Sequence, residues 1–279
     1  MKLQTRRNFI RSTAMLTAGA ALYSFPAAAM PVKNAGIQLY SVRKDMLADA
    51  TGTLKKLAAI GYKNLESAGS EKGSYYGLQP KEFKKIASDL GMRLLSGHVH
   101  IDPKNWQKTV DEAAEAGQTY LICSTMPSNG QTVSNYKHCA DIFNQSAEIA
   151  QKSNLIFGYH NHEYEFEKEN GQVLYDVLLT ETDPKKVIFE ADLGWMILSG
   201  NDATAYFNKY PGRFPLWHLK DMSKTLKHST EFGKGDIDLK ALLAQAKQAG
   251  MKNYFVEQEE YTLEPLAAMQ YDLDYLKKL

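Results

Sequence analysis

The chain predicts an α/β fold, a single (β/α)8 barrel, on three observations. Helical stripes closed by a glycine and followed at once by an apolar run recur four times, at Gly61, Gly91, Gly117 and Gly250, which is the pattern of repeated βα units. Eight apolar runs carry a helical segment after each, and no Gly-x-Gly-x-x-Gly loop follows the first to favour a dinucleotide-binding sheet. Several runs end abruptly in imidazoles and carboxylates, as buried parallel strands do when they deliver side chains to a site at their C-terminal tips.

Strands are expected near 35–40, 62–66, 92–98, 119–123, 155–160, 187–192, 215–219 and 253–257. Gly36 to Tyr40 alternates as a strand, and Ser41-Val42-Arg43 begins a loop. Leu54, Leu57 and Ala58 then lie at helical spacing ahead of Gly61, and Tyr62 to Glu66 forms the second strand. Pro80 opens a helix with Phe83, Ile86, Ala87 and Leu90 on one face; Gly91 closes it, and the third strand leads into Gly97-His98-Val99-His100. Gly117 precedes Tyr120-Leu121-Ile122. Leu155-Ile156-Phe157 runs into Gly158-Tyr159-His160-Asn161-His162-Glu163, Val187-Ile188-Phe189 into Glu190-Ala191-Asp192, and Pro215-Leu216-Trp217 into His218. A stripe of Leu239, Leu242, Leu243 and Ala246 closes at Gly250 before the eighth strand and its tip at Glu257, and a last helix lies near 263–276. No linker rich in Pro, Gly or Ser divides the chain, so residues 30–279 read as one domain.

Composition agrees with a folded enzyme-sized unit: 44% hydrophobic and 23% charged residues, with no low-complexity tract. The first 29 residues stand apart. Arg6-Arg7 precedes a modestly apolar segment, Ala14 to Phe25, and the small-residue run Ala27-Ala28-Ala29, which together read as a twin-arginine export signal addressed to the periplasm. The segment is short, with Thr17, Gly19 and Ser24 inside it, so a stable membrane anchor is not expected. Removing residues 1–29, which carry Lys2, Arg6, Arg7 and Arg11 and no acid, takes the formal charge from +1 to −3. A mildly acidic chain has no electrostatic footprint for nucleic acid. Cys123 and Cys139 are the two cysteines, one at a strand end and one in the following helix, and they are expected to stay unpaired.

The polar tips are Gln38, Glu66, His98, His100, His160, His162, Glu190, Asp192, His218 and Glu257. Burying so many ionisable groups without a cation or substrate is costly, whereas a divalent metal offsets carboxylate repulsion and takes neutral imidazole directly. Mixed imidazole and carboxylate donors suit Mn²⁺, Zn²⁺, Co²⁺ or Fe²⁺, with Mg²⁺ also compatible, better than an all-oxygen calcium cage. His98 and His100 share a strand and read as a substrate contact and a donor behind the ligands, in either order. Asp192 is nearer the tip than Glu190, which reads as a buried partner of an interior base. His218 sits at a tip between Leu216-Trp217 and Leu219-Lys220, where a ligand is expected, and Trp195 reads as a barrel lid or a stacking surface for a sugar ring.

The motifs Gly36-Ile37-Gln38-Leu39-Tyr40-Ser41, Tyr159-His160-Asn161-His162, Glu190-Ala191-Asp192-Leu193-Gly194-Trp195, His218-Leu219-Lys220-Asp221, Gly233-Lys234-Gly235-Asp236 and Val256-Glu257 resemble the sugar phosphate isomerase/epimerase family of xylose isomerase-like TIM barrels. The resemblance implies one divalent metal held at the tips of strands five to eight, with Asp192, His218 and Glu257 matching three of the family's ligands. His160 stands where many members have a glutamate, and it becomes the fourth ligand or an acid/base group. The implied activity is sugar isomerisation or epimerisation by proton abstraction beside a carbonyl, with Glu257 as base and His160 as its catalytic companion. Glu66, His98, His100, His162, Trp195 and Lys220 are the expected substrate contacts. Elimination or hydrolysis of a keto-glycoside on the same metal site, and a non-catalytic sugar-binding barrel, are the competing expectations, because the replaced carboxylate weakens the case for epimerisation. A small sugar or keto-sugar and the export machinery are the expected partners, and self-association is compatible with the sequence.

Replacing Arg6 and Arg7 together by lysine is expected to hold the precursor in the cytoplasm, whereas the exported wild-type chain begins near Met30. Cell fractionation with N-terminal sequencing checks this, and export of the double variant at the wild-type level excludes the twin-arginine route.

Overall fold

The computed structural model describes residues 34–279; the expected signal, residues 1–29, and the expected start at Met30 lie outside the described residues. Eight parallel strands close into a barrel: β1 (Gly36–Gln38), β2 (Asn64–Ser67), β3 (Arg93–Val99), β4 (Tyr120–Cys123), β5 (Ile156–His160), β6 (Val187–Asp192), β7 (Leu216–Leu219) and β8 (Asn253–Val256). Each strand pairs with its sequence neighbours, and β8 closes against β1 through Gly36 opposite Phe255 and Ile37 opposite Val256. Helices follow every strand, the longest being Val133–Lys152 after β4. The four glycines expected to end helices all have positive φ, from 68° at Gly91 to 120° at Gly61, values that a side chain disfavours. Among the described residues no helix is long and apolar enough to cross a membrane.

Two expectations need correction. The first strand stops at Gln38 instead of continuing to Tyr40, because the Gln38 side-chain oxygen accepts the Tyr40 amide N–H at 3.1 Å and turns the chain into a 3-10 segment, Leu39–Val42. Two antiparallel hairpins, Lys168–Glu169 with Gln172–Val173 and Asp221–Ser223 with His228–Thr230, decorate the C-terminal face without having been expected. The second leads into the loop carrying Gly233 and Gly235, which folds around one carboxylate. Asp221 Oδ2 accepts the amides of Gly233 and Gly235 at 2.8 and 3.0 Å, and Oδ1 accepts that of Ile237 at 3.1 Å.

The core has two parts. Most apolar side chains lie between the barrel and its helices, while Leu95, Tyr120, Ile122, Leu216 and Phe255, with Ile188 beside them, form a separate cluster. These six come from inward-facing positions of five strands and plug the barrel interior. Above the plug the two-residue strand period sets what comes next. Ile188 is followed on its face by Glu190 and Asp192, Leu216 by His218 and Lys220, Phe255 by Glu257 and Glu259, and Gly158 by His160 and His162. Four strands therefore climb from apolar floor to ionisable layer to rim. Cys123 and Cys139 are both buried free thiols, as expected.

Gly158 leaves room for that floor: a Cβ there would stand 2.7 Å from Ile188 Cγ1 and 2.8 Å from Ile122 Cδ1. Gly158→Ala is expected to destabilise the protein by about 1–3 kcal/mol through overpacking. Urea unfolding measures it, and an unchanged midpoint shows that the floor is loosely packed.

Candidate metal centre and active site

Strand register brings the expected ligands together. Asp192 on β6 lies opposite His218 on β7, and His160 on β5 opposite Glu190 on β6. His218 in turn lies opposite Phe255, which sets Glu257 one step higher, beyond the end of β8. One donor atom each from His160, Asp192, His218 and Glu257 falls within 4.8 Å of the others, and all four residues are buried. His218 Nδ1 stands 2.8 Å from Glu257 Oε2 and 4.0 Å from Asp192 Oδ2, which is itself 3.9 Å from His160 Nε2. Asp192 is held from the other side, where Oδ1 accepts the Trp195 amide N–H at 2.9 Å as the cap of helix Leu193–Leu198.

Beneath this group lies a second polar layer. Gln38 Nε2 donates to Glu66 Oε1 at 2.8 Å, and His218 Nε2 approaches the same oxygen at 2.6 Å. His98 Nε2 reaches Glu190 Oε2 at 2.8 Å, and its ring stacks on His218 with centroids 5.2 Å apart. Burial pushes both imidazoles toward the neutral form, but the surrounding carboxylates outweigh it: Glu190, Glu257 and Glu66 raise His218 well above the ordinary range, and Glu66 with Glu190 raises His98. His160 goes the other way. Burial, reinforced by the positive charge of His218, holds it well below and keeps it a neutral imidazole, the form that a metal takes. Glu66 is raised by burial and by Glu190.

Lys220 supplies the remaining positive charge. Its ammonium is fully buried, donates to Glu259 Oε1 at 2.7 Å, and stands 2.9 Å from both Asp192 Oδ2 and Glu257 Oε2. The approach to Asp192 is close enough for charge attraction but outside hydrogen-bond geometry, so Asp192 Oδ2 is buried without a hydrogen-bond partner. Burial alone would raise the Glu257 carboxyl, yet Lys220 and His218 hold it well below the usual range, so it is ionised. Burial raises Asp192 and Glu259. An unpartnered carboxylate oxygen beside a neutral imidazole, with two further donors in reach, fits a divalent cation, and the donor set suits Mn²⁺, Zn²⁺, Co²⁺, Fe²⁺ or Mg²⁺.

A cavity of about 250 Å³ opens over these groups, walled by His98, His100, His160, His162, Glu257 and Glu259, with Tyr40, Ser124 and Thr125 at its edge. His98, His100 and His162 thus lie on the cavity wall. His100 Nδ1 lies 2.5 Å from Thr125 Oγ1. His162 is held neutral by burial and by nearby Lys220, its pKa pushed down to about 4. Its backbone N–H donates to Glu165 Oε2 at 2.9 Å, and Tyr164 stacks on its ring at 5.3 Å.

Three expected substrate contacts lie elsewhere. Glu66 is wholly buried beneath the metal group, because its register with Gln38 on β1 aims it into the barrel. Lys220 is enclosed by three carboxylates and does not reach the cavity wall. Trp195 covers Lys220, whose nitrogen is 5.0 Å from the indole centroid, and lines a neighbouring groove with Tyr164 and Phe166. Glu259 and Thr125 are wall residues that sequence reading missed. Glu259 carried a usable signal, since it lies two residues past Glu257 and continues the same inward face.

The model of the xylose isomerase-like TIM barrel family matches residues 54–279. A solved sugar phosphate isomerase/epimerase from Parabacteroides distasonis ATCC 8503 is similar at 31% identity and a TM-score of 0.78, covering 88% of this chain and 98% of that one. The inosose dehydratase of Geobacillus thermodenitrificans is 25% identical over 247 residues, 74% of this chain and 80% of that protein. A structure of the IOLI protein with a binding zinc atom shares the fold at 14% identity and a TM-score of 0.71, covering 88% of this chain and 98% of that one.

Lys220→Met, assayed in chelator, leaves Asp192, Glu257 and Glu259 facing one another without their lysine. A stability loss of about 3–5 kcal/mol is expected, as for a broken buried ion pair, with partial recovery on adding Mn²⁺. Urea unfolding with and without the ion measures both, and an unchanged metal-free stability rules Lys220 out as the counter-charge.

Proposed function

The chain belongs to the xylose isomerase-like TIM barrel family, and from that premise we propose that it is a metal-dependent isomerase or epimerase of a sugar, acting by proton abstraction beside a carbonyl. The observation that carries this reading is the His160, Asp192, His218 and Glu257 group beside a small polar cavity. A divalent cation bound there supplies electrostatic stabilisation to the negative charge that proton removal leaves on the substrate oxygens. Glu257 is the base. It is ionised, lies on the cavity wall, and is steadied by His218 and Lys220. His98, His100 and His162 present imidazole edges to substrate hydroxyls, and Thr125 fixes the His100 ring. The cavity volume, below the roughly 300–1,000 Å³ of drug-sized sites, suits one small polar ring. We also propose that the enzyme works in the periplasm, on the strength of Arg6-Arg7 and the small-residue run that follows.

One observation favours a second outcome on the same first step. Glu257 and Glu259 share one wall, burial raises the Glu259 carboxyl although Lys220 lowers it, and we assign Glu259 the acid role next to the base. Base and acid on one side of a ring suit loss of a hydroxyl β to the carbonyl, and the inosose dehydratase relative supports that reading. Elimination gives an unsaturated ketone and water, whereas epimerisation returns a proton to the same carbon.

Incubating the enzyme with keto-sugars and inosose in D₂O, followed by NMR, distinguishes deuterium uptake at the α-carbon from loss of a hydroxyl. Glu257→Gln is expected to lose on the order of 10² or more in either rate, as for a positioned base. Metal content is measured in the same variant. If the variant keeps its metal and still exchanges the α-hydrogen at the wild-type rate, Glu257 is not the base.

A further inference from the structure

His160 and His218 each turn one ring nitrogen toward the centre described above and the other toward the layer beneath it. In that layer Glu190 Oε2 lies 2.8 Å from His98 Nε2, 3.1 Å from His218 Nε2 and 3.3 Å from His160 Nδ1. Donor atoms around one tetrahedral ion, at metal–nitrogen distances of about 2.1 Å, stand about 3.4 Å apart. The group is therefore already near the required size. We propose that His98, His160, Glu190 and His218 form a second, inner seat for a divalent cation, one that selects ions of the zinc and cobalt type.

Three independent features support it. The four donors lie within 4.8 Å of one another and all four residues are buried. His160 Nδ1, Glu190 Oε1 and Glu66 Oε2 are buried without hydrogen-bond partners, and leaving such atoms unmatched is costly. His160 Nδ1 is the most informative, because it lies 3.3 Å from a carboxylate oxygen yet outside hydrogen-bond geometry. Charge is the third feature. Among the described residues Glu66 and Glu190 form ion pairs with imidazoles alone, so one dication offsets both carboxylates while the rings stay neutral.

Selectivity follows from the donors. Three nitrogens and one oxygen favour Zn²⁺ or Co²⁺, whereas two nitrogens and two carboxylates in the outer centre are more hospitable to Mn²⁺ and Mg²⁺. A neutral imidazole offers one lone pair, so the two seats compete for His160 and His218 and one is filled at a time. The readout is metal binding, independent of the reaction proposed above.

The seats differ in residues that belong to only one of them: His98 and Glu190 to the inner, Asp192 and Glu257 to the outer. Calorimetric titration of metal-free protein is expected to give one Zn²⁺ per chain. His98→Ala should weaken Zn²⁺ about tenfold or more while changing Mn²⁺ less than about threefold, and Asp192→Asn should do the reverse. If His98 merely supports the outer ligands, its loss weakens both metals alike, by the roughly 10–100-fold typical of such supports; that result, or unchanged zinc binding, overturns the inner seat. Wild-type crystals grown with Zn²⁺ decide the matter even if His98→Ala misfolds. An anomalous peak about 2.1 Å from His98 Nε2 supports the proposal, and a peak only between Asp192 and Glu257 overturns it.

Discussion

The structure depends on compensating buried negative charge at the C-terminal end of the barrel. Glu66, Glu190, Asp192 and Glu257 are all buried within a few strand tips of one another. Two like charges 4 Å apart repel by about 4 kcal/mol at an effective dielectric of 20, so such a set needs interleaved cations or protonation of some of its members. Lys220 and the carboxylate-raised imidazoles His98 and His218 supply them. The surplus of buried carboxylates is a charge that a divalent ion would offset. It also explains why Lys220 is enclosed: its ammonium is worth more between carboxylates than on the cavity wall.

The scaffold enters through the strand period and the stagger of the barrel. Inward positions two residues apart carry the chain from the apolar floor at Ile188, Leu216 and Phe255 to ligand and wall residues above. Because Asp192 is level with His218 and His218 with Phe255, Glu257 reaches the group from one step higher. Loops then fix the tips. Asp192 is both a candidate ligand and a helix cap, so its rotamer is set before any ion arrives, and Asp221 gathers the loop after β7 by accepting three backbone N–H hydrogen bonds.

The histidine at position 160 shapes the electrostatics of the group. A carboxylate there would add another acidic group to a crowded layer, whereas the neutral imidazole adds no negative charge and offers two nitrogens at different depths. Among the described residues, Glu259 is the carboxylate that shares the cavity wall with Glu257.

The sequence by itself determined the eight-stranded barrel, because glycine-closed helices and apolar runs are local patterns that recur along the chain, and it placed His160, Asp192, His218 and Glu257 among the polar strand tips, the family resemblance and not the local pattern setting these four apart from the other tips. Cavity walls at His98, His100 and His162 were legible among the same polar tips. What only the tertiary structure decided was depth. Glu66 and Lys220 lie at or just past strand tips like the others, but register with Gln38 drew one beneath the candidate metal group and three carboxylates enclosed the other. The division of His160 and His218 between two layers also belongs to the tertiary structure, since ring orientation depends on neighbours from strands far apart in the chain, and no local pattern encodes those contacts.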